Sequence, residues 1–208
     1  MTDSPIKVID DFLPGEIFGS IAQSIMRSPT YTCLTGTSML AAEDDGSIEQ
    51  YGENEELAAR QKPHEAMMHF QLYSRLYHQH TVADMWLILH DLFKELQLRL
   101  DCKTMWLARV NMTTACAENY VSAFHVDQGD HPRRDHMHAS ILYLNTNNGG
   151  TKFEDGTFVK SQSNRVVTFP MHIRHAGVWC TDRKLRFVLN LNYEKNGQEQ
   201  EGSTDNRL

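Results

Sequence analysis

The spacing of apolar residues changes near residue 100 from a helical period to an alternating one, and this change limits the folds open to the chain. Earlier apolar residues recur at steps of three and four, whereas later ones form short β-type runs between turn-forming residues. Helices followed by many short strands are typical of an α+β protein whose helices pack on a sheet sandwich or barrel. With 208 residues, we expect one domain over residues 1–194 and a flexible polar tail over 195–208.

Two helices are predicted in the first half. The first follows Pro14, because proline suits a first helical turn and Glu16 complements the helix dipole. The second is predicted over Val82 to Leu100. Its apolar stripe consists of Trp86, Leu89, Phe93, Leu96 and Leu100. Residues 29–63 carry turn-forming and acidic residues without a period, so we expect a long loop there, either a lid or a surface excursion.

Short strands are predicted over 6–9, 105–111, 121–126, 139–144, 165–169 and 186–193. In the last of these, alternation separates a core face from a polar face. The core face has Phe187, Leu189, Leu191 and Tyr193, and the polar face has Arg186, Val188, Asn190 and Asn192. A buried guanidinium is costly without a partner, so Arg186 should meet a ligand carboxylate or a structural acidic residue.

The charge balance disfavours nucleic acid as a partner. The sequence has 20 Lys and Arg residues and 27 Asp and Glu residues, which gives a net charge of −7. This is the wrong sign for a protein that neutralises phosphates.

The four cysteines form no C-x-x-C pair and are expected to be reduced thiols. A leader peptide and long apolar runs are not apparent, so we expect a soluble cytoplasmic protein without membrane attachment.

A candidate metal site is carried by His125, Asp127 and His175. On a strand, His125 and Asp127 would project to the same side, and His175 follows the apolar run 166–169. Two histidines and one carboxylate leave coordination positions open on non-haem Fe(II), whereas a structural zinc site takes four ligands. His172 is an alternative third ligand.

Two other histidine motifs are present. We expect the His-rich segment 131–138 to be a loop beside the site, and the alternative is a second metal site. The H-E-x-x-x-H run at 64–69 has the wrong spacing for a zinc site.

Together these motifs resemble the 2-oxoglutarate and Fe(II)-dependent oxygenases of the prolyl 4-hydroxylase-like group. His125-x-Asp127 and His175, with Arg186 eleven residues later, are similar to its signature. Residues 140–145 (SILYLN) with 149–156 (GGTKFEDG) are similar to its "YLN…GG" strand pair. The resemblance extends to small oxygenases of marine bacteriophages and covers residues 105–194.

The resemblance implies a double-stranded β-helix, a jelly-roll or cupin-like barrel supported by the N-terminal helices. Iron would be held by His125, Asp127 and His175. Arg186 and Tyr143 would bind the distal carboxylate of 2-oxoglutarate, and Tyr120 is similar to an active-site tyrosine of the group. From strand position, Asn111 and Thr113 are candidates to hydrogen-bond the metal-chelating end of the co-substrate.

The implied activity is a dioxygenase reaction that uses Fe(II), 2-oxoglutarate and O2, with ascorbate as a candidate reductant. A substrate C–H bond is hydroxylated, and succinate and CO2 are released. A prolyl or other residue of a protein or peptide is the first substrate expected, and a small metabolite is the next. The alternatives are a cupin-like module that binds a metal or ligand without turnover, and a degraded relative retained for protein binding.

Overall fold

The computed structural model describes residues 4–27, 71–78, 81–82, 90–127 and 136–196. Within these ranges the chain forms two helices and ten strands. The helices are α1 (Gly15–Arg27) and α2 (His90–Leu100). The strands are β1 (Lys7–Ile9), β2 (Gln71–His78), β3 (Thr81–Val82), β4 (Cys102–Thr114), β5 (Met137–Tyr143), β6 (Gly150–Phe153), β7 (Phe158–Lys160), β8 (Arg165–Pro170), β9 (His175–Val178) and β10 (Leu185–Lys195).

The strands form two antiparallel sheets that face each other. The larger has the order β1-β8-β5-β10-β4-β2-β3, and the smaller has the order β7-β6-β9. Apolar side chains from both sheets meet in one buried cluster between them, called here the barrel interior. Its members include Met137, Ala139, Ile141, Tyr143, Phe153, Val159, Val167, Phe169 and Val188. This arrangement confirms the predicted α+β class with a double-stranded β-helix core.

The two helices cover the opposite face of the larger sheet. Ile21 and Ile25 of α1 and Leu96 and Leu100 of α2 are buried in a second apolar cluster against that sheet. The predicted core face of β10 belongs to this cluster, namely Phe187, Leu189, Leu191 and Tyr193. Val188 belongs instead to the barrel interior, so the predicted alternation of β10 is confirmed. No helix within the described ranges has the length and apolar character needed to cross a bilayer.

Several features differ from the sequence-based expectations. Val82 lies in β3 rather than in a helix, and the described part of the second helix begins at His90. Residues 121–126 do not form a continuous strand but meet β9 at two isolated bridges, Val121 to Val178 and His125 to His175. Strand β2 was not predicted; it joins the larger sheet through pairing with β4, a contact that local periodicity does not report.

Several predictions fall on residues that the structure does not describe. They are the loop over 29–63, the residues Trp86 and Leu89, the histidine run 64–69, most of the 131–138 segment, and the tail beyond residue 196. No disulfide joins Cys102, Cys116 or Cys180 within the described ranges, whereas Cys33 lies outside them.

Asn164 joins the N-terminal segment to the barrel. Its side-chain amide donates to the Leu13 carbonyl at 2.8 Å, and its Oδ1 accepts from the Leu13 N–H at 2.9 Å. Its backbone adopts a left-handed conformation with φ 63°, which asparagine tolerates better than most residues. The chain leading into α1 is thereby held against the start of β8.

Candidate metal centre

His125 and His175 are placed side by side by a backbone bridge. The N–H of each residue donates to the carbonyl of the other at 2.9 Å, and the ring centroids lie 4.6 Å apart. Asp127 completes a group in which one ligand atom from each residue lies within 4.8 Å of the others. The structure therefore brings together three side chains whose sequence positions span 50 residues.

The two imidazoles are held in the tautomer that metal binding requires. Nδ1 of His125 lies 3.1 Å from the Ala123 carbonyl, and Nδ1 of His175 lies 3.1 Å from the Ile173 carbonyl. Because a carbonyl oxygen only accepts, each Nδ1 carries the proton and donates it. In the neutral imidazole, each Nε2 is then left with a lone pair, as in histidines that bind metals.

The two oxygens of Asp127 have different surroundings. Oδ1 lies 3.9 Å from Nε2 of both His125 and His175, whereas Oδ2 accepts a hydrogen bond from Nδ2 of Asn192 at 2.8 Å. The Asp127 side chain is only 8% exposed. One oxygen therefore faces the histidine nitrogens, and the other is bound by the protein.

The electrostatics of the cluster favour a neutral histidine beside an ionised carboxylate. Burial, with the neighbouring His175, lowers the pKa of His125 to about 4. Burial alone would raise the pKa of Asp127, but the two histidines and the Asn192 amide together lower it by more, so the net shift is downward. These are the protonation states in which both groups bind a cation.

The structure separates the two candidate histidines of the 172–175 segment. His175 is 2% exposed and packs edge to face against Phe169, with a centroid distance of 4.8 Å. His172 is exposed and lines a different surface cavity of about 370 Å³, together with Glu154 and Arg174. His175, and not His172, therefore lies beside Asp127.

Arg186 is a buried cation whose protein partners are neutral. It is 4% exposed; its Nε donates to Ser161 Oγ at 3.1 Å and its Nη2 donates to the Gly150 carbonyl at 2.9 Å. Within the described ranges no carboxylate pairs with it. The sequence left two partners open for Arg186, a ligand carboxylate or a structural acidic residue. The described residues do not supply the acidic residue.

Two further buried polar atoms lie on the strand beside Arg186. Thr113 of β4 pairs in register with Arg186, and Asn111 pairs with Val188. Thr113 Oγ1 and Asn111 Oδ1 are buried and have no hydrogen-bond partner among the described residues. Because an unsatisfied buried polar atom costs about 1–3 kcal/mol, these atoms indicate a place for a polar ligand.

The two tyrosines of the predicted site lie in different surroundings. The Tyr143 ring centroid is 5.8 Å from the Arg186 guanidinium carbon, and its hydroxyl donates to Thr151 Oγ1 at 2.8 Å or to the Val159 carbonyl at 3.2 Å. Burial raises the pKa of Tyr143 to about 12, so it remains a donor at neutral pH. Tyr120 instead packs edge to face on Trp179, with centroids 5.3 Å apart.

Sequence reasoning assigned no role to three residues that contact or act on this site. They are Asn192, which binds Asp127; Ser161, which binds Arg186; and Arg109, whose charge lowers the pKa of both His125 and Asp127. The alternation of β10 already placed Asn192 on the same face as Arg186, and that was the available signal. Ser161 carried none, since its contact depends on the meeting of the two sheets.

No family model and no curated protein matches the sequence, but solved structures are similar to it. A Trichoplax adhaerens prolyl hydroxylase, in complex with a peptide fragment of the hypoxia inducible factor oxygen degradation domain, has a TM-score of 0.55 at 11% identity. That match covers 93% of this chain and 84% of the other. A Pseudomonas putida prolyl-4-hydroxylase has a TM-score of 0.50 at 13% identity, covering 94% and 95% of the two chains.

A third similar structure is the viral collagen prolyl hydroxylase of Paramecium Bursaria Chlorella virus-1, in complex with 2-oxoglutarate. Its TM-score is 0.50 at 12% identity, covering 92% of this chain and 97% of the other. At such identity, the likeness establishes a common fold. The chain therefore has the fold of the prolyl hydroxylases among the 2-oxoglutarate and Fe(II) oxygenases, the group that its motifs resemble.

Proposed function

We propose that this chain is a 2-oxoglutarate- and Fe(II)-dependent dioxygenase that hydroxylates a C–H bond of a protein or peptide, with a prolyl residue as the first candidate. One observation carries the proposal. A triad of two histidines and one aspartate, in which Asp127 and His175 are buried and His125 is half-buried, shares a barrel with a buried guanidinium that no carboxylate pairs with in the described ranges. The triad suits Fe(II) with open positions, and the guanidinium requires an anionic partner from outside.

The triad fits the metal by the chemistry of its donors. His125 and His175 would bind through Nε2, because each Nδ1 is used by a backbone carbonyl, and Asp127 would bind through the oxygen that faces them. Three protein ligands leave positions for a chelating co-substrate and O2, whereas a structural zinc site would use four.

The surroundings of Arg186 fit 2-oxoglutarate by their charge and their position. Arg186 donates to Gly150 at one end of β6, and His175 pairs with Phe153 three residues further along the same strand. At about 3.3 Å per residue, Gly150 and Phe153 are roughly 10 Å apart along β6. A short diacid can therefore place one carboxylate at Arg186 and direct its other end toward the triad.

The remaining predicted residues are assigned to the same co-substrate. Tyr143 is proposed as a second donor to the distal carboxylate, with Thr151 taking over as the donor between the two hydroxyls. Asn111 and Thr113, each with a buried polar atom lacking a described partner, are proposed to bind the chelating end. Tyr120, which packs on Trp179, is proposed as a further residue of the co-substrate site, as the resemblance implies.

When bound, Fe(II) and 2-oxoglutarate with O2 supply the oxidation, in which one oxygen atom enters the C–H bond and the other enters succinate as CO2 is lost. The chain's own residues bind, orient and exclude water. Arg186 fixes the diacid, and Asp127 stays ionised beside neutral His125. Phe153 and Phe169 pack around His175 and keep water from that side of the triad.

A peptide is the preferred substrate class for two reasons. One similar structure holds a peptide, and the net charge of −7 disfavours a nucleic acid. The test for the substrate is incubation of the loaded enzyme with a peptide library. Gain of one oxygen atom on a defined side chain supports the proposal, and gain on small metabolites alone would refute the peptide assignment.

The metal and co-substrate are tested by anaerobic titration with Fe(II) and 2-oxoglutarate, followed by addition of O2. We expect a metal-to-ligand charge-transfer absorption and then succinate formation, with ascorbate tested as the reductant. His175→Ala should abolish both the absorption and succinate formation. His172→Ala is the control, since His172 is exposed, and it should keep both. Binding without any succinate would favour the cupin-like binding module, and full activity in His175→Ala would refute the triad.

A further inference from the structure

A buried asparagine holds one oxygen of the proposed carboxylate ligand. Asn192 is 0% exposed, and its Nδ2 donates to Asp127 Oδ2 at 2.8 Å. The other oxygen, Oδ1, lies at the same distance, 3.9 Å, from the Nε2 atoms of His125 and His175. The hydrogen bond therefore makes the two carboxylate oxygens inequivalent.

The orientation of the Asn192 amide follows from the chemistry of its partner. An ionised carboxylate only accepts hydrogen bonds, so the NH2 group, and not the carbonyl oxygen, must face Asp127. Asn192 also donates without carrying a charge. A lysine or arginine in its place would neutralise the carboxylate and compete with a metal cation, whereas asparagine orients Asp127 and leaves its negative charge available.

The backbone at Asn192 is hydrogen-bonded to neighbouring strands on both sides. Asn192 lies in β10, which pairs with β4 on one side and β5 on the other, and the register with β4 shifts directly after it, between Asn192 and Tyr193. Such bulges commonly redirect side chains beside functional sites. The next residue, Tyr193, points to the other face, where its hydroxyl lies 3.0 Å from both Ser140 Oγ and Thr168 Oγ1.

We propose that Asn192 is a positioning residue that holds Asp127 as a one-oxygen ligand, keeping Oδ2 away from the metal and Oδ1 toward it. The proposal rests on the proposed function, because it assigns Asn192 a role toward the same metal. A carboxylate bound through both oxygens would occupy one more coordination position. Asn192 thereby preserves an open position for the co-substrate and O2.

The test compares the binding of Mn²⁺ to the full-length wild-type chain and to two variants. Asn192→Ala removes the donor, and Asn192→Leu removes it while retaining most of the side-chain volume. Loss of such an outer partner typically costs 10–100-fold in metal affinity, and we expect that loss in both variants. We also expect the d–d absorption of bound Co²⁺ to change, because its coordination changes.

Tyr193→Phe is the matched control. It removes a buried hydroxyl with two partners from the neighbouring position of the same strand, on the face away from Asp127. It should lower the thermal midpoint but leave Mn²⁺ affinity and the Co²⁺ spectrum unchanged. A purely structural role for Asn192 would give the same pattern as Tyr193→Phe, and that result would overturn the proposal.

The outcomes separate this inference from the proposed function. If the wild type binds Mn²⁺ and both Asn192 variants bind it within twofold, the inference alone is wrong. If the wild type binds no divalent ion, both are wrong. If both variants fail to fold, the test is hydrogen exchange of the Asn192 side-chain amide in the Zn²⁺-loaded wild type. Slow exchange supports a persistent bond to Asp127, and exchange as fast as that of an exposed asparagine overturns it.

Discussion

Replacing Arg186 with methionine should strongly weaken binding of 2-oxoglutarate while leaving the fold almost as stable as before. Methionine fills much of the same volume without a charge. A carboxylate bound by two charge-assisted hydrogen bonds gains about 1.5–3 kcal/mol from each. The loss is therefore about 3–6 kcal/mol, or roughly a hundredfold to ten-thousandfold in affinity.

Stability responds differently because Arg186 has only neutral protein partners in the described ranges. Removing it leaves Ser161 Oγ and the Gly150 carbonyl without a donor, at about 1–3 kcal/mol each. It also removes a buried charge, which costs several kcal/mol to desolvate. These contributions oppose each other, so the thermal midpoint of the ligand-free protein should move by no more than about 4 °C.

Anaerobic titration with Fe(II) and 2-oxoglutarate measures the affinity, and calorimetry of the ligand-free protein measures the midpoint. Arg165→Met is the control, since Arg165 already has a carboxylate partner, Asp10, at 2.6 Å; it should leave the affinity for 2-oxoglutarate unchanged. The reasoning is refuted if Arg186→Met binds 2-oxoglutarate within a few fold of the wild type. A midpoint lowered by more than about 10 °C would mean that Arg186 serves mainly the fold.

Two further predictions concern stability. Asn164→Ala loses both hydrogen bonds to Leu13 and should lower the free energy of unfolding, measured in urea, by about 2–4 kcal/mol. Asn164→Gly should lose about 1 kcal/mol less, since glycine accepts the left-handed φ. Equal losses in the two variants would contradict this account. Burial, with Lys195, His172 and Lys7, lowers the pKa of His138 to about 4, from an unfolded value near 6.5. The unfolded state thus binds the extra proton first, and stability is lost as the pH falls from about 6.5 to 4. His138→Gln should flatten that part of the urea-unfolding profile, and an unchanged slope would count against the assignment.

Much of the fold could be predicted from local patterns. The stripe of Leu96 and Leu100 identified α2, although only its part from His90 is described, and the alternation of β10 separated a helix-facing side from a barrel-facing side. Such patterns work because one buried face imposes a fixed period on a regular element. They failed at 121–126, where two isolated bridges to β9 replace a strand, and they did not detect β2, whose partner is distant in sequence.

By itself, the sequence determined the fold class, the residues eligible to bind a metal, and the face of β10 on which Arg186 and Asn192 lie. These are consequences of backbone periodicity and side-chain chemistry, and neither depends on distant contacts. Only the tertiary structure decided that His175, and not His172, lies beside Asp127, that Arg186 has neutral partners, and that Asn192 binds Asp127. Each of these depends on which strands become neighbours when the two sheets close, because the partners of a buried polar group are set by packing rather than by its own sequence position.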